Sequence, residues 1–114
     1  MSPEMLFDYL GVRLNTDKAE GRNLTLNVNF TDIGKAYTLT VENSVLNFTE
    51  KLSPNPDATA TLTKAALDDV QLGAATIEQQ IKAGKIKVDG KDTAFPEFLG
   101  LFDDFEYWFN IVTP

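Results

Sequence analysis

The chain of 114 residues contains no cysteine and no histidine. The missing cysteines exclude disulfides and leave the redox compartment unreadable. Together the two absences exclude zinc sites built on Cys or His, and nucleophile systems of the Ser-His-Asp or Cys-His kind. Carboxylates, Lys, Tyr, Ser and Thr are what remains. The chain is therefore not expected to be an enzyme by itself, and it offers no catalytic residue, no metal ligand set and no cofactor motif. Basic residues are also few: 10 Lys and Arg stand against 17 Asp and Glu, a net charge of -7. Phosphate backbones and anionic membrane surfaces both call for a basic patch, so no nucleic-acid partner and no membrane insertion is expected. No apolar run reaches the ~18 residues of a membrane span. The opening MSPEMLFDYL lacks a basic region followed by an apolar one, which reads as a soluble chain without a signal peptide and leaves the compartment open.

What is present suits a single domain over 1–114, with 43% hydrophobic and 24% charged residues. Ser2-Pro3-Glu4 reads as a helix start: a capping hydroxyl, proline at the first helical position and an acid near the positive end. Leu6, Tyr9, Leu10 and Leu14 follow at helical spacing, and the helix is expected to stop before the polar stretch 15–21. Asn23 to Phe30 alternates Leu24, Leu26, Val28 and Phe30 with Thr25, Asn27 and Asn29, the period of a half-buried strand. A glycine-containing turn over 31–35 leads to a second alternation, Tyr37, Leu39 and Val41. Asn43-Ser44 then connects tightly to Val45–Thr49, which completes an antiparallel meander.

Leu52 to Asp57 is a loop with two prolines, and Ala58 to Thr63 is a fourth strand. Thr63 and Gly73 bracket a helix. Thr76 with Gln79 forms a capping box for another, which stops at Gly84. Lys85 to Val88 is a fifth strand, and a last helix begins at Asp92 or Ala94. The order predicts an α+β fold: a five-stranded, largely antiparallel sheet with helices gathered on one face.

Asp68-Asp69 and Asp103-Asp104 are paired carboxylates. Adjacent helical residues point about 100° apart, so they read as solvated faces rather than dyads. The triplets beginning at Asn23, Asn29 and Asn47 fit the N-x-[ST] pattern but read more plainly as a polar strand face. That face (Thr25, Asn27, Asn29, Thr38, Thr40, Asn47, Thr59, Thr61) is uncharged, where solvent faces more often carry Lys and Glu. It is either a solvated surface or a contact with a second domain or subunit. Asn27 and Thr40 are read as pointing away from the core, so lysine at both is expected to leave the fold intact.

The last 20 residues, from Phe95, hold 7 of the 12 aromatics in the chain. Phe95, Phe98, Leu99 and Phe102 recur at helical spacing, and Leu101, Phe105 and Trp108 form a second stripe. Seven aromatics represent on the order of 1,000 Å² of apolar surface. A monomer rarely exposes more than a few hundred Å² in one patch, so most of it is covered, by the core, by an apolar ligand or by another domain.

MSPEMLFDYLGVRLN, LTLNVNFTDIGKAYTLTVENSVL, DATATLTKAALDDVQLG, IEQQIKAGKIKVDG and FLGLFDDFEYWFNIVTP together resemble the C-terminal domain of bacterial alkyl sulfatases, over nearly the whole chain. The resemblance implies a sterol carrier protein 2-like fold with an apolar tunnel between sheet and helices. It implies a long-chain alkyl or lipid-like ligand, lined here by Phe95, Phe98, Leu99, Phe102, Phe105, Trp108, Leu72, Ile77 and Ile81. It also implies a zinc-dependent catalytic domain as partner, in cis or in trans, and is compatible with a homodimer. Two readings follow: a non-catalytic binding module that recruits the alkyl chain of the substrate, or a docking domain of a larger hydrolase with no ligand of its own. An apolar cavity of roughly 300 Å³ or more favours the first, and a filled core beneath an aromatic surface patch favours the second.

Overall fold

A computed structural model describes residues 2–91 and 93–102, the side chain of Gln71 excepted. Helix α1 (Pro3–Arg13) begins where Ser2 accepts a hydrogen bond from the Met5 N–H at 3.2 Å. It buries Leu6, Phe7 and Leu10. Phe7, rather than the expected Tyr9, is the inward aromatic, and Tyr9 stays exposed under the Arg13 guanidinium. The stretch read as polar and irregular holds a one-turn helix, α2 (Thr16–Ala19), started by Asn15 accepting from Asp17 and Lys18 N–H groups.

Five strands follow: β1 (Leu24–Phe30), β2 (Lys35–Glu42), β3 (Val45–Thr49), β4 (Ala58–Leu62) and β5 (Ile86–Gly90). Their order in the sheet is β3-β2-β1-β4-β5. Three of the pairings are antiparallel, while β4 lies parallel to β1. The meander β1-β2-β3 is as expected. Its two-residue hinge, Asn43-Ser44, takes left-handed backbone angles at both positions (φ 53 and 62), which matches a tight hairpin between Glu42 and Val45.

The parallel pairing has a structural consequence. To reach the far side of β1, the chain must leave edge strand β3 and cross one face of the sheet. The two-proline segment after Thr49 makes that crossing over the Thr/Asn face. Asn27 donates to the Ser53 carbonyl at 2.9 Å and accepts from the Ser53 N–H at 3.0 Å. Thr38 donates to the Lys51 carbonyl and contacts Asn27 Oδ1 at 2.8 Å. Asn27 and Thr38 are therefore buried, and the expectation that lysine at position 27 leaves the fold intact is corrected: the side chain does leave the apolar core, but the protein's own loop covers it. Thr25, Asn29, Thr40, Thr59 and Thr61 remain half-buried, and Asn47 is exposed.

On the other face, α3 (Lys64–Gln71), α4 (Ile77–Lys82) and α5 (Ala94–Leu99) join α1 over the inward side chains. The Thr63 hydroxyl accepts from the Ala66 N–H at 3.0 Å, and the Thr76–Gln79 capping box is present in both directions. Both features are legible in the sequence. Asp32, from the β1-β2 turn, adds a second cap to α3 by accepting from Lys64 N–H at 2.8 Å. Gly90 ends β5 at φ 108, where a Cβ would lie 2.8 Å from the Asp57 carbonyl oxygen, so the close approach of β5 to that loop requires glycine.

The last helix departs from expectation. It stops at Leu99 instead of carrying Phe102 on a helical face. Gly100 at the C-terminal cap disfavours continuation. The chain then turns, and Phe102 forms an isolated antiparallel bridge with Leu14 while the Asn15 N–H donates to the Leu101 carbonyl at 2.9 Å. Phe105 and Trp108 lie outside the described residues.

Candidate functional site

The aromatic residues of the core form two groups. Phe7 sits 5.2 Å from Tyr37, 5.3 Å from Phe48 and 6.5 Å from Phe30, between ring centroids. Phe98 sits 6.3 Å from Phe95 and 5.1 Å from Phe102, all near edge-to-face. Between the two groups lies an apolar cavity of about 70 Å³. Its floor is the inward face of β1, β2, β4 and β5, with Val28, Leu39, Ala60 and Val88 among the lining residues. Its walls come from Leu6, Phe7 and Leu10 of α1, Leu67 of α3, Ile77 and Ile81 of α4, and Phe95, Phe98 and Leu99 of α5.

The sheet register explains why space remains. Val28 of β1, Ala60 of β4 and Val88 of β5 are neighbours in one row across the floor. Three small side chains in adjacent strands, under helices propped apart by phenylalanines, leave a gap. A cavity of this size costs roughly 1.7 kcal/mol against a filled core. The lining is not sealed: Ile81 is 42% exposed, and Leu67, Val88 and Phe95 are partly buried, so the cavity reaches the surface where α3, α4, α5 and β5 meet.

Of the nine residues named as an apolar lining, Phe95, Phe98, Leu99, Ile77 and Ile81 border this cavity. Phe102 is buried but stands behind Phe98, outside the lining. Leu72 is 82% exposed at the C-terminal cap of α3 and is corrected: the turn at Gly73 carries it away from the sheet. The contribution of β4 was missed. The signal was ATATL, whose three inward positions are two alanines and a leucine in a strand that the topology places beside β1. Leu6, Phe7 and Leu10 of α1 were also missed as lining residues.

The site carries no chemistry of its own. No titratable side chain lines it. Among the described residues no cluster of three or more acids could hold a metal ion, and the sequence has neither His nor Cys.

A five-stranded mixed sheet with helices over one face is the sterol carrier protein 2-like α+β fold. The palmitated SCP2L2 of Aedes aegypti is similar in structure at TM-score 0.63 and 17% identity, over 86% of this chain and 91% of that one. The chain belongs to the alkyl sulfatase C-terminal family, whose model matches residues 1–114. It is 40% identical to a linear primary-alkylsulfatase of Pseudomonas over all of this chain and 17% of that protein. The solved structure of the inverting sec-alkylsulfatase Pisa1 from Pseudomonas matches at TM-score 0.81 and 40% identity, covering 90% of this chain and 16% of that one. The chain thus spans about a sixth of the length of the relatives it matches. Among the described residues no helix is long and apolar enough to cross a membrane.

Proposed function

We propose that this chain is the alkyl-chain-binding domain of an alkyl sulfatase, which holds the aliphatic tail of a long-chain or lipid-like ligand while the ester is cleaved in the rest of the parent enzyme. The partner is then a zinc-dependent catalytic domain, joined in cis or bound in trans. The observation that carries this reading is the wholly apolar cavity between sheet and helices, open at Ile81 and Phe95. A core that keeps such a space forgoes stability that close packing would supply. The palmitated relative in fold supports the choice of ligand class. The 70 Å³ cavity falls well short of the ~300 Å³ of a formed ligand pocket, so binding must widen it.

A twelve-carbon chain gains on the order of 8–10 kcal/mol from burial before association costs of at least ~4 kcal/mol and the cost of widening. Affinity is then micromolar to millimolar. Calorimetric titration with dodecanol, neutral and so unaffected by the charge of -7, tests the reading. Saturable heat is expected from the parent chain. Its absence rejects the ligand site.

A second reading, docking without a ligand, has its own observation. Met5 (60% exposed), Tyr9 and Val12 (83%) run along the outer side of α1, and Val45 (51%) stands beside them on edge strand β3. This stripe suits contact with the remainder of a larger enzyme and is compatible with ligand binding on the inner side.

A further inference from the structure

We propose that α5 is the movable wall of the cavity and that the Arg22–Glu97 ion pair is the latch that holds it closed. This rests on the apolar-ligand reading above. A dozen-carbon chain does not enter a 70 Å³ cavity unless one wall gives way. The floor is a hydrogen-bonded ladder and resists. α1 is tied to the sheet by the Tyr37 hydroxyl, which donates to Glu4 at 2.7 Å. α3 is held at its start by Thr63 and by Asp32, and α4 is tied to α3 by Gln80 donating to the Ala66 carbonyl at 3.0 Å.

α5 has none of these ties. It is six residues long, its N-cap residue Thr93 makes no side-chain cap, and Pro96 supplies no N–H. Among the described residues its one side-chain hydrogen bond is from Arg22 Nη1 to Glu97 Oε1, at 2.6 Å and across 75 positions of sequence. Arg22 stands on the connection between α2 and β1, so the pair spans from that connection to the cavity wall. Phe95 and Phe98, on either side of Glu97, are lining residues. Gly100 after the helix, where a Cβ would meet only the carbonyls of its own last turn, supplies a swivel point, and the Asn15–Leu101 backbone bond anchors the far end. Breaking the pair raises the open fraction, and apparent affinity and uptake rise by the same factor. For exposed pairs that factor is roughly 1.5 to 5.

The test is stopped-flow uptake of a neutral fluorescent polyene alcohol (parinaryl alcohol) by four chains: the parent, Glu97→Gln, Arg22→Gln, and the exchanged pair Arg22→Glu with Glu97→Arg. Each single variant is expected to take up the probe roughly 1.5 to 5 times faster, and the exchanged pair to return towards the parent rate. Added salt should quicken the parent and leave the single variants unmoved, because it screens only an intact pair. Equal rates and equal salt responses in parent and single variants overturn the latch while leaving the ligand reading standing. A lowered melting temperature with unchanged uptake does the same, since it marks a merely structural pair. If the parent takes up no probe, the ligand reading fails and the latch with it.

Discussion

Tyr37 is the largest fully buried side chain among the described residues, and it carries a hydroxyl into the core. That hydroxyl reaches Glu4 at 2.7 Å, which leaves no orphaned polar atom. Burial, reinforced by the Glu4 bond and charge, pushes the phenol pKa well above its ordinary 10.0, and the same bond draws Glu4 below the usual carboxylate value. Tyr37→Phe is expected to cost about 1 kcal/mol in urea unfolding at pH 7. The sign with pH follows from the raised value. The fold favours the protonated phenol, so this contribution is whole below about pH 10 and is lost as pH rises beyond it. The parent should therefore lose stability between roughly pH 10 and 11.5 more steeply than Tyr37→Phe does. Identical slopes would show that the phenol is not the alkaline-sensitive group.

Asn27 gives a second prediction at this scale. Its amide is buried against Ser53 and Thr38, so Asn27→Lys places a charge without a partner beneath the crossing loop. A loss of ~3 kcal/mol or more is expected in chemical denaturation, whereas Thr40→Lys, on the same face and half-buried, should cost within about 1 kcal/mol. Equal, small losses would mean that the loop lifts away freely. The sequence could not reveal this difference. Both residues sit at outward positions of alternating strands, and only the parallel docking of β4 sends the loop across one of them.

At the scale of elements, caps and alternation were legible because they are local. Ser2, Thr63 and the Thr76–Gln79 box each act within three residues, and the inward positions of β1 and β2 follow a period of two. What was not legible is long-range. Asp32 caps α3 from 32 positions away, and nothing within its own turn marks it for that role. Hydrogen bonds from the Lys64 N–H and its neighbours lower the Asp32 pKa, so its contribution is present above the ordinary carboxylate value of 3.8 and is lost as pH falls through the folded value. Asp32→Asn should lower the melting temperature at pH 7, with the gap to the parent closing on acidification. Hydrogen exchange at Lys64 and Ala65 should rise in the variant. A gap that persists unchanged at about pH 2 would assign the effect to shape rather than charge. The length of α5 failed for the opposite reason: the aromatic spacing fits a helix, but Gly100 ends it within two turns.

At the scale of the whole molecule, the order of elements and the enclosed apolar layer were readable, while an apolar space between sheet and helices came only from the family resemblance, and its small size from neither. A cavity is set by which small residues become neighbours, and Val28, Ala60 and Val88 meet only through the strand order β1-β4-β5. Ala60→Leu should fill the space, raise stability by up to ~1.7 kcal/mol if the core accepts it, and abolish dodecanol binding. Should leucine overfill the site, Ala60→Val tests the same point with less volume.

The most direct measurement is methyl NMR of four of the five isoleucines during a dodecanol titration. Ile77, Ile81 and Ile86 line the cavity, and Ile33 lies exposed in the β1-β2 turn. Saturable shifts at the first three with Ile33 unmoved are predicted, and filling the cavity by Ala60→Leu should remove them. Unmoved methyls at all four, or equal shifts at all four, would contradict a chain held between the sheet and the helices.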